Sequence, residues 1–449
     1  MSGSIVQAVA QIKRNVAAFL TAEFIVEACR EVGHTWRERE LGPAKTVWAF
    51  LLQVLYGNTA CTHVVRLAEL TCSAEAYCAA RARLPLAVLG SLLERMTQAA
   101  QSSCREPRWH GHRTFFVDGS GFSMPDTPEL QNHFGQPGQQ RPGCGFPQAH
   151  LLAMFDAATG LVVKMLAAPL RTHDQSQVAQ LHPALAAGDV LVADRGFASY
   201  VHLALILGRG VQAVFRAHQR QLVSFRRDRR LTGKQPRGTV AQYANSRLLR
   251  KLGRFDQVVE YDKGPQCPDW LDAATFAALT DTILVRELRY RTSVAGFRTR
   301  EVTLVTTLLD AHQYPATALA ELYRRRWEIE TNFAHLKTTM KLDVLRCKTV
   351  SGVLKELTMF ALVYNLTRLV MVRAAQAMGV SPQRVSFIDA LRWLAEACQR
   401  TPAMLVHINP DRPNRLEPRR RKRRPKEFSL MKSPRRQLRQ RLLQQRVTT

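Results

Sequence analysis

The chain has 449 residues, 46% of them hydrophobic, and carries 64 Lys or Arg against 36 Asp or Glu. This composition excludes a disordered protein and leaves room for two or three domains, each with its own core. The formal net charge of +28 favours a polyanionic partner, and nucleic acid or an anionic membrane surface would both serve.

Membrane and secretion signals are missing from the sequence. No run of about eighteen uninterrupted apolar residues occurs, and the apolar stretch 357–372 is broken by Asn365 and Arg368. The first residues lack the apolar centre of a signal peptide. The nine cysteines are scattered without a C-x2-C pair, which fits a reducing cytosol and neither a disulfide framework nor a zinc ribbon. We therefore expect a soluble cytoplasmic protein, associated with the nucleoid, and nucleic acid becomes the better partner.

Residues 1–105 are predicted to be a helical N-terminal domain. Apolar residues recur at spacings of three and four over 5–20, 22–32, 44–56, 61–70, 74–83 and 86–99. Gly33, Gly42, Gly57 and Pro85 mark the breaks between these segments. Several short helices are typical of a DNA-binding head, although a plain packing domain has the same pattern.

From residue 114 the periodicity becomes that of strands. A β-rich run over 114–117 ends at Asp118, and runs over 149–155 and 161–166 predict a hairpin. A helix over 176–185 precedes a short apolar strand over 190–193 that ends at Asp194; a helix over 200–207 and a strand over 211–215 follow. An aspartate close to a glycine is usually a turn former or a cap, so that interpretation stays open for Asp118 and Asp194 at this point.

The second half of the chain is more basic. Residues 217–300 interrupt the scheme with basic, short-stranded sequence before a strand resumes over 302–307. Helices are predicted over 354–378, covering the sheet, and over 387–398. Between Arg412 and Arg446 there are fifteen Lys or Arg and two Glu, which predicts a solvated tail that binds phosphates without regard to sequence.

One stretch, YRRRWEIETNFAHLK over residues 323–337, carries a polar pattern at helical spacing. On a continuous α-helix, Tyr323, Arg326, Glu330 and Lys337 fall within a face about 60° wide. A surface helix with an Arg326 and Glu330 ion pair would give the same arrangement, and such a pair is worth only a few tenths of a kcal/mol. Helix geometry alone does not separate the two interpretations.

The spacing Y-x2-R-x3-E-x6-K resembles the signature of DDE transposases of the insertion-sequence-four family at all four positions. Asp118 in VDGSGFS and Asp194 in VADRGF resemble the first and second catalytic aspartates of that family. Similarity continues in WRERELGPAKTVWAFLLQVLYGNTAC and AYCAARARLP, so that it covers about residues 35–430. The predicted order of three strands, helix, strand, helix and strand is also that of a ribonuclease-H-like sheet.

The resemblance implies a DNA transposase that cleaves the ends of its element and transfers a 3′-hydroxyl into target DNA. Asp118, Asp194 and Glu330 would be the catalytic metal ligands, because hard Mg²⁺ or Mn²⁺ requires carboxylate oxygens. Tyr323, Arg326 and Lys337 would hold phosphates of the transposon end. The partners implied are the terminal inverted repeats and target DNA, and a homodimer is expected because two ends must be joined.

The expected fold class is α+β or α/β, with a ribonuclease-H-like core and a β-rich insertion between a helical N-terminal domain and C-terminal helices with a basic tail. The predicted domains are 1–105 (helical, DNA-binding), 106–216 and 301–345 (the two parts of the core), 217–300 (insertion), 346–410 (C-terminal helices) and 411–449 (tail).

Other chemistries do not match the spacing of their motifs. Residues 119–123 are not G-x-S-x-G, Asp118 lacks the second aspartate of a haloacid-dehalogenase-type phosphatase, and residues 232–235 lack the first glycine of a P-loop. His110 and His112 are interpreted as structural residues. Trp270 is the one tryptophan of the insertion and is interpreted as a core residue, which leaves hairpin formation open. A structure-specific endonuclease and an inactive DNA-binding protein remain as alternatives.

Overall fold

The computed structural model describes residues 20–37, 39–102, 108–138, 140–172, 174–235, 238–291, 301–343, 345–397, 406–410 and 433–447. The N-terminal region contains α1 (Ala22–Glu31), α2 (Pro43–Leu55), α3 (Cys61–Leu67), α4 (Ala74–Arg83) and α5 (Leu86–Ser102). These helices confirm the five predicted over 22–99. The helix predicted over 5–20 lies outside the described residues, except for its last residue.

A nine-stranded sheet with the order β3-β2-β1-β4-β5-β11-β10-β9-β8 forms the centre of the fold. Its strands are β1 (Thr114–Ser123), β2 (Gln148–Asp156), β3 (Val162–Pro169), β4 (Val190–Ala193), β5 (Gln212–Arg216), β8 (Arg247–Gly253), β9 (Asp256–Asp262), β10 (Thr282–Arg291) and β11 (Glu301–Thr306). A separate hairpin consists of β6 (Arg230–Gln235) and β7 (Gly238–Tyr243). The predicted mixed α/β architecture is confirmed.

The middle of the sheet is parallel and its flanks are antiparallel. β4 lies between β1 and β5 and runs parallel to both. β2 and β3 form the predicted antiparallel hairpin on one side. On the other side β11 pairs antiparallel with β5 and β10, so the strands from 247 to 291 extend the same sheet.

Short helices connect these strands: α6 (Pro128–Phe134), α7 (Asp174–Val178), α8 (Tyr200–Leu207) and α9 (Ala273–Ala278). The single helix predicted over 176–185 was wrong. α7 is only five residues long and continues as a 3₁₀ helix, Ala179–Ala184, which contains Pro183. Because proline has no backbone N–H, it cannot extend the α-helical hydrogen bonding.

The stretch predicted as one continuous helix over 323–337 is also different. It is divided into α10 (Ala316–Arg325), α11 (Glu328–Ala334) and a π-helical turn, His335–Thr339. At the break the backbone N–H groups of Arg326 and Trp327 donate to carbonyls three residues back instead of four. Since the stretch contains neither proline nor glycine, we attribute the break to side-chain packing and not to intrinsic backbone preference.

α12 (Val350–Met378) packs on the sheet and on α5, and α13 (Phe387–Ala397) packs on α12. α12 is long and apolar enough to cross a membrane, but 89% of its most apolar 18-residue stretch is buried inside the protein, as in a core helix. Its buried polar side chains bind the turn between β2 and β3: Asn365 exchanges hydrogen bonds with the backbone of Val162, and Arg368 donates to the Thr159 carbonyl at 2.7 Å.

Residues 411–432 of the predicted tail lie outside the described residues, and the part that follows includes α14 (Arg435–Val447). Arg435 anchors the start of this helix to the segment between β1 and β2. Its Nη1 lies 2.6 Å from an Asp126 carboxylate oxygen, and its guanidinium carbon lies 3.9 Å from the centre of the Phe146 ring.

Candidate active site

Asp118 and Asp194 lie side by side because their strands are neighbours. β1 and β4 pair in parallel up to Val117 and Ala193, so the two aspartates follow the last paired positions at one edge. β1 does not end at Asp118, as predicted, but continues to Ser123 because β2 pairs with it along its whole length. The two strands nevertheless lie side by side.

Asp118 is held by a buried arginine. Arg326 Nη1 donates to Asp118 Oδ2 at 2.8 Å, and the other carboxylate oxygen accepts the backbone N–H of Gly119 at 2.8 Å. Burial raises the pKa of the Asp118 carboxyl above its usual value, although the Arg326 guanidinium acts in the opposite direction.

Asp194 has a different set of partners. The hydroxyl of Tyr323 donates to its Oδ1 at 3.0 Å, and Arg216 Nη1 lies 3.9 Å from the same oxygen. Burial alone would raise the pKa of Asp194, but the backbone N–H of Arg195, the Arg326 guanidinium and the Tyr323 hydroxyl outweigh it and leave the pKa below its usual value. The phenol of Tyr323 stays protonated because burial raises its pKa.

Arg326 and Tyr323 are therefore turned toward protein carboxylates. Arg326 is only 7% exposed and Tyr323 only 4% exposed. The Arg326 guanidinium carbon lies 5.6 Å from the centre of the Tyr323 ring. Arg326 Nε is buried and has no hydrogen-bond partner. The guanidinium thus retains an unused donor next to two acidic side chains.

Glu330 and Lys337 line a cavity of about 350 Å³ that also contains Asp118. Lys337 Nζ donates to the Gly121 carbonyl at 2.7 Å and lies 3.3 Å from Ser120 Oγ, which connects the π-helical turn to the second half of β1. A further carboxylate, that of Asp343, lines the same cavity 3.7 Å from Lys337 Nζ. All four signature side chains thus face the strand edge that carries the aspartates or the cavity beside it.

Carboxylates are the donors that a hard divalent cation prefers, so the chemistry of Asp118, Asp194 and Glu330 fits such an ion. In the described part of the chain no group of three acidic, His or Cys side chains is arranged to hold a metal. Instead, Arg326 and Tyr323 each bind one oxygen of the two aspartates. The three carboxylates are suitable metal ligands. In this structure, however, the two aspartates are hydrogen-bonded to Arg326 and Tyr323.

Two further charged residues near the site, Arg216 and Asp343, were not predicted from the sequence. Arg216 is the last residue of β5, next to β4, and that adjacency was the available signal. Asp343 follows the π-helical turn and lines the cavity. A regular helix was assumed for this stretch, so the position of Asp343 could not be predicted.

The two histidines near the start of β1 contact neighbouring protein groups, which fits the structural role predicted from the sequence. His112 uses both ring nitrogens, with Gly188 O at 2.6 Å and the Tyr314 hydroxyl at 2.7 Å. His110 packs edge-on against Trp109. Trp270 is half-buried in the loop between β9 and α9, which differs from the fully buried core residue that was predicted.

Comparison with known proteins supports the resemblance carried by the signature. A sequence profile of the family described as Transposase DDE domain matches residues 109–366, more than half of the chain. The transposase InsG for insertion sequence element IS4 from Escherichia coli strain K12 is 24% identical over 416 residues, which cover 89% of this chain and 84% of that protein.

A shorter sequence similarity is also to a transposase. The putative transposase InsZ from Escherichia coli strain K12 is 27% identical over 183 residues, covering 38% of this chain and 58% of that protein. Among solved structures, a piggyBac transposase synaptic complex with hairpin DNA has 11% identity and a TM-score of 0.42, covering 85% of this chain and 79% of that one, a likeness too weak to support an argument. The family match and the IS4 relative show that the chain belongs to the transposase DDE domain family and is a DNA transposase of the insertion-sequence-four type, an enzyme class that generally depends on divalent metal ions.

Proposed function

We propose that this transposase cleaves the ends of its element and joins the freed 3′-hydroxyl to target DNA at the edge of β1 and β4. The observation that carries the proposal is the adjacency of Asp118 and Asp194 on parallel strands, with Glu330 lining a cavity together with Asp118. The strand order 3-2-1-4-5, with β1, β4 and β5 parallel, supports a ribonuclease-H-like core.

Asp118, Asp194 and Glu330 would hold the divalent ions, Mg²⁺ in the cell and Mn²⁺ as a substitute. When bound, such ions activate the attacking oxygen and stabilise the leaving oxygen of an in-line displacement. The chain's own part is to place the three carboxylates on rigid elements, since two follow paired strand positions and the third lies on a helix packed over β1.

Tyr323, Arg326 and Lys337 would bind phosphates of the transposon end. Arg326 and Tyr323 contact the aspartates in this arrangement, so binding of a phosphate to them would mean exchanging one anionic partner for another. Arginine suits this exchange because its guanidinium binds carboxylates and phosphates in the same forked geometry. Lys337 contributes a point charge at the side of the cavity.

End recognition is assigned to the N-terminal helices and the strands between 217 and 300, and a homodimer would bring two ends together. With DNA as its substrate, the enzyme would work at the nucleoid. A structure-specific endonuclease with the same core would cleave but would not join, and a DNA-binding protein would do neither.

The test is a joining assay with a labelled duplex that carries the native terminal repeat, in Mg²⁺. Full-length protein is expected to give joined product from a pre-cleaved end. Asp118→Ala, Asp194→Ala and Glu330→Ala are each expected to reduce cleavage and joining to background while end binding is retained, because metal ligation is lost and phosphate contacts remain.

Glu321→Ala is the matched control, since Glu321 is an exposed glutamate of α10 that pairs with Arg324 outside the cavity. This variant is expected to cleave and join DNA like the unaltered protein. Near-normal cleavage by any of the three acid variants would refute the assignment of that residue. Cleavage without joining would favour the endonuclease.

A further inference from the structure

A second cavity, of about 440 Å³, lies in the helical N-terminal region and has no part in the site described above. Its walls come from the segment between α1 and α2, from the start of α2 and from the end of α4. Its volume is within the range of small-molecule sites in proteins.

The lining of this N-terminal cavity is cationic and aromatic. Arg37, Arg39 and Arg83 are its charged residues among those that the structure describes, and all three are exposed. Trp36 and His34 stack beside them, with ring centres 5.8 Å apart and an interplanar angle of 29°. Positive charge alone would suit any polyanion, whereas the stacked rings add a flat apolar surface.

The wall formed by α4 is fixed to the catalytic half of the protein. Lys355 Nζ, on α12, donates to the carbonyl of Ala82 at 2.7 Å, and Arg81 Nη2 lies 2.9 Å from Cys347 Sγ. Leu84, which lines the cavity, is buried in the main hydrophobic core. A ligand in the cavity would therefore be held in a defined position relative to α12 and the sheet beneath it.

We propose that the N-terminal cavity binds an unpaired nucleotide of a DNA strand. Its base would stack on Trp36 and His34, and its flanking phosphates would contact Arg37, Arg39 and Arg83. Stacking on aromatic side chains combined with basic contacts to the backbone is the general mode of single-strand binding, and arginine forks match phosphate oxygens. The proposal rests on the proposed function, because cleavage at the ends of the element produces free strand ends that can present such nucleotides.

The test measures DNA binding by the full-length protein without divalent metal. The probes are a random-sequence duplex with blunt ends and the same duplex with a short single-stranded tail that contains a fluorescent purine analogue. The protein is expected to bind the tailed duplex more tightly and to quench the analogue. Arg83→Gln is expected to weaken binding of the tailed duplex about tenfold, and of the blunt duplex much less.

Arg30→Gln is the matched control, because Arg30 and Arg83 both lie exposed in the last turn of a helix but only Arg83 lines the cavity. It should affect both duplexes equally. Trp36→Leu should abolish quenching and Trp36→Phe should restore part of it; if Trp36→Leu does not fold, the comparison of the two arginine variants decides. Equal affinity of the unaltered protein for both duplexes, or equal effects of Arg83→Gln and Arg30→Gln, would overturn the proposal.

The outcome is independent of the test of catalysis. Glu330→Ala, which should not join DNA, is expected to retain the preference for the tailed duplex. Loss of that preference in Glu330→Ala would count against a separate nucleotide site. A joining defect without loss of the preference would leave the nucleotide site intact and concern the catalytic assignment alone.

Discussion

At the scale of single residues, the contact between Arg326 and Asp118 affects how much negative charge the carboxylates present to a metal ion. A guanidinium within hydrogen-bond distance of one aspartate, and electrostatically coupled to the other, neutralises charge that a metal would otherwise meet. The buried guanidinium also retains an Nε without a hydrogen-bond partner. We therefore expect metal affinity to be low until a phosphate draws the guanidinium away.

Replacing Arg326 tests this expectation directly. Arg326→Gln should increase the affinity of the DNA-free protein for Mn²⁺ about tenfold or more, because a positive charge beside the carboxylates is removed. The measurement is Mn²⁺ titration followed by electron paramagnetic resonance. Arg324→Gln, at an exposed position of the same stretch, should leave the affinity unchanged. If both variants bind Mn²⁺ like the unaltered protein, Arg326 does not restrain the site.

At the scale of secondary-structure elements, the predictable parts are those set by local periodicity. β4 and α8 were predicted to the residue because each is a short apolar run with clear ends, β4 between Asp189 and Asp194 and α8 between Ser199 and Gly208. Asp118 and Asp194 followed from the strands that carry them. The break at Arg326 and the π-helical turn before Met340 were not predictable, since the stretch contains no proline or glycine to mark them. For the same reason Asp343 was overlooked.

Two helical elements on the other face of the sheet are joined by a buried histidine pair. His202 Nδ1 donates to the Phe197 carbonyl at 2.8 Å, so its Nε2 accepts the Nε2–H of His182 at 3.1 Å. The His202 ring also stacks on Phe215 of β5, with ring centres 5.2 Å apart. Burial, together with the neighbouring His202 and Arg209, lowers the pKa of His182 to about 3, and burial lowers the pKa of His202 to about 4.

Acid should therefore destabilise the fold through this pair. Both folded pKa values lie below the usual 6.5, so the unfolded chain binds more protons and stability is lost as pH falls through 6.5 toward 4. One such histidine is expected to lower the free energy of unfolding by about 2 kcal/mol between about pH 7 and about pH 5. Urea unfolding at the two pH values measures the loss.

His182→Gln should reduce this pH-dependent loss, since one titrating group is removed while a donor to His202 is kept. His133→Gln, at an exposed histidine of α6, should not change it. The same pH dependence in His182→Gln as in the unaltered protein would show that the acid sensitivity arises elsewhere.

At the scale of the whole molecule, the basic tail can be separated from recognition. Deleting residues 412–449 removes fifteen Lys or Arg and two Glu. Binding to all duplex DNA should weaken by about tenfold or more at moderate salt, because counterion release does not depend on sequence. Competition binding with the terminal repeat and random duplex is the measurement, and the ratio of the two affinities should survive.

The control for tail length is a full-length chain in which the Lys and Arg of 412–432 are changed to Gln. Its affinity for the terminal repeat and for random duplex should fall by a similar factor. Arg435, which anchors α14 to Asp126 and Phe146, stays in that variant. A collapse of the affinity ratio in either protein would place end recognition in the tail and not in the N-terminal helices.

The continuity of the sheet has a consequence for biosynthesis. β5 ends at Arg216, but its neighbour β11 begins only at Glu301, after the whole intervening segment. While the chain leaves the ribosome, β5 is an open edge that can pair with other nascent chains until β11 arrives. Asp118 and Asp194 are synthesised before that closure, whereas Tyr323, Arg326 and Glu330 follow it. A chain interrupted before Glu301 would therefore carry two of the three proposed catalytic carboxylates and an unprotected strand, and on the proposed mechanism it would not cut DNA.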